Sequence, residues 1–213
     1  MKKESILFDL DGTIIDSSKG IFASILYALE KLGLEPLSPE VLRTFVGPPL
    51  LESFLNLGLS ETMAAQAVTY YRELYKKEAV YMVDPYDEIE ATLAQLSRTK
   101  RLFLATSKPE VFAKQILEHL GFAKYFEGIY GADLEGLRTE KAAVIAYALA
   151  TSQLEDIASL VMVGDRKHDI SGAKVHGLAS IGVLYGFGDQ AELQAAGADE
   201  IVQTPKELLA LLA

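Results

Sequence analysis

The sequence predicts an α/β protein: a parallel β-sheet covered by helices on both faces, with an all-helical insertion after the first strand. Three observations carry this expectation. From about Asp84 onward, short apolar runs alternate with longer helical patterns, as in repeated strand–helix units. Ser17 to about Val80, by contrast, is strand-poor and helically spaced. The first apolar run, Glu4–Leu10, finds no partner strand in that block and must therefore rejoin the later sheet.

The elements follow in order. Glu4–Leu10 is a buried strand that ends at acidic residues. In the insertion, Ile21, Ile25, Ala28, Leu29 and Leu32 recur at helical spacing, and Ser60–Tyr81 is a second long helical pattern. Gly33, Pro36, Pro39, Gly47, Pro48, Pro49 and Gly58 divide the block into several helices. Later strands are expected at Arg101–Thr106, Gly128–Tyr130, Ser159–Val163, Ala179–Val183 and Glu200–Val202. Helices are expected at Asp87–Ser97, Glu110–Leu120, Thr139–Thr151, Asp169–His176, Asp189–Ala196 and Pro205–Leu212. The expected organisation is a core of residues 1–16 and 83–213 with a helical domain at 17–82. No internal repeat or low-complexity segment interrupts it.

Composition narrows the chemistry. The 213 residues include 20 Lys+Arg against 30 Asp+Glu, a formal charge of −10, with no Cys, no Trp and three His (His119, His168, His176). Without thiols there is no disulfide framework, Cys-ligated metal or cysteine nucleophile. Scattered histidines offer no multi-histidine metal site, so any catalysis must run on carboxylates, hydroxyls, Lys/Arg and backbone. At 50% hydrophobic residues the chain can build a core. Its longest uncharged run, the 14 residues Val175–Gly188, falls short of a membrane span, which needs about 20 apolar residues. Met1-Lys2-Lys3 before an apolar run imitates a signal peptide, but Glu4, Asp9 and Asp11 cut that run short. A cytoplasmic protein is expected, with no membrane partner. The acidic balance and lack of a Lys/Arg cluster point away from nucleic acid.

In a doubly wound sheet, ligands bind at the carboxyl ends of the strands. Three strand ends here are polar: Asp9-Leu10-Asp11-Gly12-Thr13, Thr106-Ser107-Lys108, and Gly164-Asp165 with Asp169 four residues on. Lys141 opens the helix before the last of these strands. Each has an ordinary structural reading. Asp-Gly can begin a turn with solvated carboxylates; Asp165 and Asp169 can cap a helix; Thr106-Ser107 can do the same; Lys141 can be a surface lysine. Together they suggest more. Asp9 and Asp11, two apart on an extended chain, face the same way, and two like charges there call for a cation and raise one pKa. Hard oxygen ligands without His or Cys select Mg2+. A hydroxyl at a helix start and a lysine bind phosphate. The set points to magnesium-dependent phosphoryl transfer with an Asp nucleophile.

These four segments, in this order, resemble the motifs of the haloacid dehalogenase-like hydrolase superfamily. The spacings agree with it: 97 residues from Asp9 to Thr106, 35 on to Lys141 and 24 more to Asp165. The resemblance covers nearly the whole chain and implies a Rossmann-like core, with the insertion as a helical cap of the first cap class. It also implies roles. Asp9 would attack phosphorus and ligate the metal. Asp11 would protonate the leaving oxygen, then activate water, its backbone carbonyl touching the metal. Asp165 would be a further ligand, and Asp169 would act directly or through water. Thr106 and the Ser107 N–H would hold a phosphate oxygen, and Lys141 would offset charge. Many phosphoglycolate phosphatase-like members carry Lys-Pro in the third motif, whereas here it reads Arg138-Thr139-Glu140-Lys141-Ala142; Arg138 is the substitute if the register slips by a turn.

Thr44–Leu50, Tyr71–Tyr75 and Asp84-Pro85-Tyr86 look like the cap loop and cap–core junction of phosphoglycolate phosphatases. Gly47, Pro48 and Pro49 would then contact the leaving group, or form an ordinary interhelical turn. Arg43 would pair with an anionic substrate tail, or be a solvated helix charge. The implied partner is a small phosphorylated metabolite, acted on by a monomer or weak homodimer. Phosphoglycolate, other phosphomonoesters, nucleoside monophosphates and pyrophosphate all fit such a core. A dehalogenase needs neither Asp11 nor Asp165. A β-phosphoglucomutase-like mutase carries a His about a dozen residues after the nucleophile, where this chain has Ile21. A non-catalytic module usually lacks a motif residue, and none is missing here.

Overall fold

The computed structural model describes residues 3–213; residues 1 and 2 of the expected core, and with them part of the signal-like start, lie outside the described residues. The chain divides into two compact units, one of residues 1–16 and 85–213, the other Ser17–Asp84. The two-residue strands β2 (Ile15–Asp16) and β3 (Asp84–Pro85) lie where the chain passes from one to the other.

The first unit is built on a six-stranded parallel sheet. Its strands are β1 (Ser5–Phe8), β4 (Arg101–Pro109), β5 (Gly128–Ala132), β6 (Leu160–Gly164), β7 (Ala179–Val183) and β8 (Glu200–Val202), in the order β5-β4-β1-β6-β7-β8. The strand that begins the chain is therefore central, hydrogen-bonded to β4 on one side and β6 on the other. Burial on both faces explains why Ile6, Leu7 and Phe8 read as a continuous apolar run rather than an alternating one. Removing each such side chain from water contributes about 1.5–3 kcal/mol.

Six helices accompany the sheet: α5 (Ile89–Leu96), α6 (Glu110–His119), α7 (Lys141–Thr151), α8 (Lys167–Val175), α9 (Gln190–Ala196) and α10 (Pro205–Leu212). One core cluster joins Val144, Ile145 and Ala148 of α7 to Leu7, Phe103 and Met162 of the sheet. Asp189 and Thr204 cap α9 and α10, accepting from the N–H groups of Glu192 and Glu207, contacts worth about 1 kcal/mol each.

Several boundaries differ from expectation for local reasons. The β4 strand continues past Thr106 to Pro109, with a register shift between those residues. Glu88, in the left-handed conformation at φ 64°, delays α5 to Ile89. The segment before α7 is a turn closed by Asp133, whose Oδ1 accepts from the N–H groups of Gly136 (2.6 Å) and Leu137 (2.9 Å), so Thr139 and Glu140 stay outside the helix. The α8 helix starts at Lys167, two residues earlier than expected.

The second unit is helical: α1 (Ser18–Lys31), α2 (Pro39–Arg43), α3 (Leu50–Asn56) and α4 (Glu61–Lys77). Ile21, Ile25, Ala28 and Leu29 are the buried face of α1, which packs on α4. Ser60 caps α4, its hydroxyl accepting from the Met63 N–H at 3.3 Å. The single long pattern expected to Tyr81 ends at Lys77, and a 3-10 turn follows at Ala79–Tyr81. Among the described residues, no helix is long and apolar enough to cross a membrane.

Candidate active site

Strand register assembles the site. Phe8 pairs with Leu104 on β4 and with Val163 on β6, so three adjacent strands end side by side. The Asp9 N–H continues the ladder by donating to the Val163 carbonyl at 2.9 Å. Asp9, Thr106 and Asp165, distant in sequence, are thereby brought to one edge of the sheet, and all three are buried.

Lys141 ties them together. It is the first residue of α7 and only 4% exposed. Its Nζ lies 2.8 Å from Asp9 Oδ1 and 2.7 Å from Asp169 Oδ1, and donates to the Ala105 carbonyl at 3.0 Å. Two carboxylate oxygens at ion-pair distance and one carbonyl thus surround the ammonium. Burial disfavours its charge, but Asp169 and Asp9 outweigh burial and raise its pKa. Arg138, the alternative for this motif, lies elsewhere: its Nε donates to the Gly131 carbonyl at 2.9 Å and its guanidinium stacks 3.8 Å from the Tyr147 ring centroid.

Asp169 both closes a helix turn and faces the carboxylate cluster. Its Oδ2 accepts from the Arg166 N–H at 3.0 Å, closing the first turn of α8 from the third helical position, while Oδ1 faces Lys141. Asp165 is not a helix cap, since that position falls to Arg166. Asp165 Oδ2 accepts from the Phe187 N–H at 2.8 Å, and Oδ1, fully buried, has no hydrogen-bond partner among the described residues. Burial pushes the Asp165 carboxyl well above its ordinary range, with Asp169 and Asp9 adding like-charge repulsion. Burial also raises Asp9; Lys141 opposes this and Asp169 adds to it.

Asp9, Asp165 and Asp169 can each present one carboxylate oxygen within 4.8 Å of the others'. Such a set is costly without a cation. The orphaned Asp165 Oδ1 and the all-oxygen donors fit a hard divalent ion. The Asp11 carboxylate stands apart from this cluster: Lys108 Nζ donates to both its oxygens, at 2.9 and 2.8 Å. Thr106 Oγ1 accepts from the Lys108 N–H at 3.2 Å and favours the charged form of Asp9. Ser107 follows on the same strand, half-buried. The remaining candidates belong to the second unit. Arg43 ends α2 and is exposed, and Gly47, Pro48 and Pro49 form the turn into α3, Pro49 preceding its first residue.

Sequence reasoning missed four contributors. Lys108 carries no local signal, since its partner Asp11 lies 97 positions away. Tyr86 and Tyr185 pack ring to ring at 5.1 Å. Burial and the nearby carboxylates raise both phenols, Asp16, Asp165 and Asp11 acting on Tyr86 and Asp165 on Tyr185. The Gly186–Gly188 loop wraps Asp165 so closely that a Cβ on Gly186 would collide with its side chain.

Residues 6–183 match the family model of haloacid dehalogenase-like hydrolases. The chain is 42% identical over 197 residues to a 5'-nucleotidase of Pseudomonas aeruginosa, covering 92% of this chain and 89% of that one. It is 34% identical over 199 residues to a phosphoglycolate phosphatase of Neisseria meningitidis, covering 89% and 84%. A predicted phosphatase of Clostridium acetobutylicum superposes with a TM-score of 0.93 at 42% identity, covering 99% and 98% of the two chains. With the motif residues gathered at one sheet edge, these matches establish that the chain belongs to the haloacid dehalogenase-like hydrolases, as one of the family's phosphatases.

Proposed function

We propose that this phosphatase hydrolyses a small phosphomonoester through an aspartyl-phosphate on Asp9, with Mg2+ as cofactor. The observation that carries the reading is the buried lysine held between Asp9 and Asp169 beside the unpartnered oxygen of Asp165. Asp9, Asp165, Asp169 and the Asp11 backbone carbonyl would hold the ion, which when bound offsets the negative charge of the carboxylates and the phosphoryl group.

The chain's own residues account for the steps. An Asp9 carboxylate oxygen attacks phosphorus while the bond to the leaving oxygen breaks, and Asp11 gives that oxygen a proton, releasing an alcohol. Water then attacks the phosphorus of the aspartyl-phosphate and loses its proton to Asp11. The bond to Asp9 breaks, and inorganic phosphate leaves. Thr106 and the Ser107 N–H hold a phosphoryl oxygen, and Lys141 balances the charge on Asp9 and the phosphoryl group. Positioning and electrostatics carry most of such catalysis.

Two substrate classes stand out, phosphoglycolate-like esters and nucleoside 5'-monophosphates, since relatives bearing those two names align over most of the chain. Arg43, Gly47, Pro48 and Pro49 are the proposed specificity residues. Phosphate release would be measured over 2-phosphoglycolate, nucleoside 5'-monophosphates, pyrophosphate and p-nitrophenyl phosphate, with Mg2+ and with excess EDTA. At least one phosphomonoester should be turned over, and that activity should be lost in EDTA. Undiminished activity in EDTA would remove the metal assignment, and chloride release from haloacetate with no phosphate release would replace the reaction.

A further inference from the structure

Lys108 belongs to none of the motif positions, yet its side chain is only 7% exposed and ends on Asp11, whose side chain is 15% exposed. Burying a lysine head group is costly unless it is paired, and this one reaches both oxygens of a single carboxylate. Donation to both oxygens fixes the torsion of the carboxylate as well as its place. The backbone of Lys108 is held too: its N–H donates to Thr106 Oγ1 at 3.2 Å, at the register shift of β4. A lysine at a strand end thus has main chain and side chain tied to two different site residues. Asp11 itself follows the strand and precedes the turn at Gly12, and among the described residues no other side-chain donor reaches its carboxylate.

We infer that Lys108 is a positioning residue for Asp11, holding that carboxylate where it can exchange a proton with the leaving oxygen and then with water. This rests on the phosphatase reading above and deepens it. Asp11 enters the first half-reaction carrying the proton that it gives to the leaving oxygen. Between the two half-reactions it is the carboxylate that Lys108 clamps, and it then takes a proton back from the attacking water. Lys108 itself neither accepts nor gives a proton. General acid–base catalysis contributes roughly 10²–10⁴-fold, and misplacement by about 1 Å can cost 10²-fold. Losing the clamp therefore removes much of the Asp11 contribution while leaving phosphate binding to Thr106 and Lys141.

The test is a double-mutant cycle of Lys108→Met and Asp11→Asn, with Lys108→Arg alongside, measured with an alkyl phosphate and with p-nitrophenyl phosphate. Circular dichroism melts confirm that each variant is folded. An alkoxide needs a proton to leave, whereas p-nitrophenolate does not. The expected results are a fall in kcat of about 10–100-fold for Lys108→Met on the alkyl ester, little change in KM, and a smaller loss of the p-nitrophenolate burst. Lys108→Arg should recover part of the loss. In the Asp11→Asn background, Lys108→Met should cost almost nothing more. Multiplicative losses, equal losses in the burst of alcohol and of p-nitrophenolate, or a change confined to KM would show that Lys108 acts on the substrate or the fold instead, and overturn the inference. If Lys108→Met is unfolded, the same comparisons on Lys108→Arg decide. Wild-type protein that hydrolyses no phosphomonoester would overturn the underlying reading as well, a result distinct from those.

Discussion

Gly12 lies against Asp165: a Cβ on Gly12 would collide with the Asp165 carboxylate, and the glycine holds φ +84°. Both the space and the backbone conformation exclude a side chain. The glycine after Asp11 thus serves as a wall of the site as well as a turn residue. Gly12→Ala should displace the Asp165 carboxylate and cost roughly 10²-fold in kcat/KM, with about 1–2 kcal/mol of backbone strain. Steady-state kinetics with a chemical melt check this; wild-type turnover would show that the close approach is dispensable.

Lys141 stands where charge and packing meet. Removing one partner of a buried ion pair costs about 3–5 kcal/mol, because the other charge is left unpaired. Lys141→Met leaves Asp9 and Asp169 facing each other without the ammonium between them. Urea unfolding should show a loss of that order, and phosphate release should fall to background. A variant as stable as wild type would mean that the carboxylates take up protons at little cost.

Asp165 sets a pH dependence. Its folded pKa is raised above the ordinary 3.8 by burial and by Asp169 and Asp9. Above 3.8 the folded protein therefore holds a proton that the unfolded chain has released. Stability of the metal-free protein falls as pH rises from 3.8 through the raised value, then levels off. Asp165→Asn keeps an acceptor for the Phe187 N–H but removes the charge. Thermal melts across pH should show a higher Tm for metal-free Asp165→Asn than for metal-free wild type at neutral pH, and a shallower decline. Mg2+ is expected to raise the Tm of wild type, and the variant should lose that increase. An unchanged Mg2+ shift would remove Asp165 from the ligand set.

Much of this was legible in the sequence, for reasons that particular elements make plain. Buried parallel strands need apolar runs, so β1, β4 and β6 stood out, and the polar residues ending them had to share one sheet edge. What stayed hidden depended on distant partners. Nothing local distinguishes Lys108 from a solvated lysine, because Asp11 is 97 positions away. Asp169 read as a possible cap, but α8 begins at Lys167, which moves it to the third helical position, where it also faces Lys141. The uncharged run Val175–Gly188 was informative only about membrane length, although its last residues wrap Asp165. The late start of α5 hangs on the left-handed Glu88, a conformation its residue type does not announce.

Whether Asp9 is the nucleophile is decided by phosphate release from Asp9→Asn, alongside circular dichroism and a melt with and without Mg2+ to show an intact fold. Replacing the carboxylate by an amide of the same shape removes the attacking group. Turnover should fall by about 10⁴-fold or more with secondary structure unchanged. Folded Asp9→Asn protein that keeps more than a small fraction of wild-type hydrolysis, with leaving groups good and poor alike, would contradict that role.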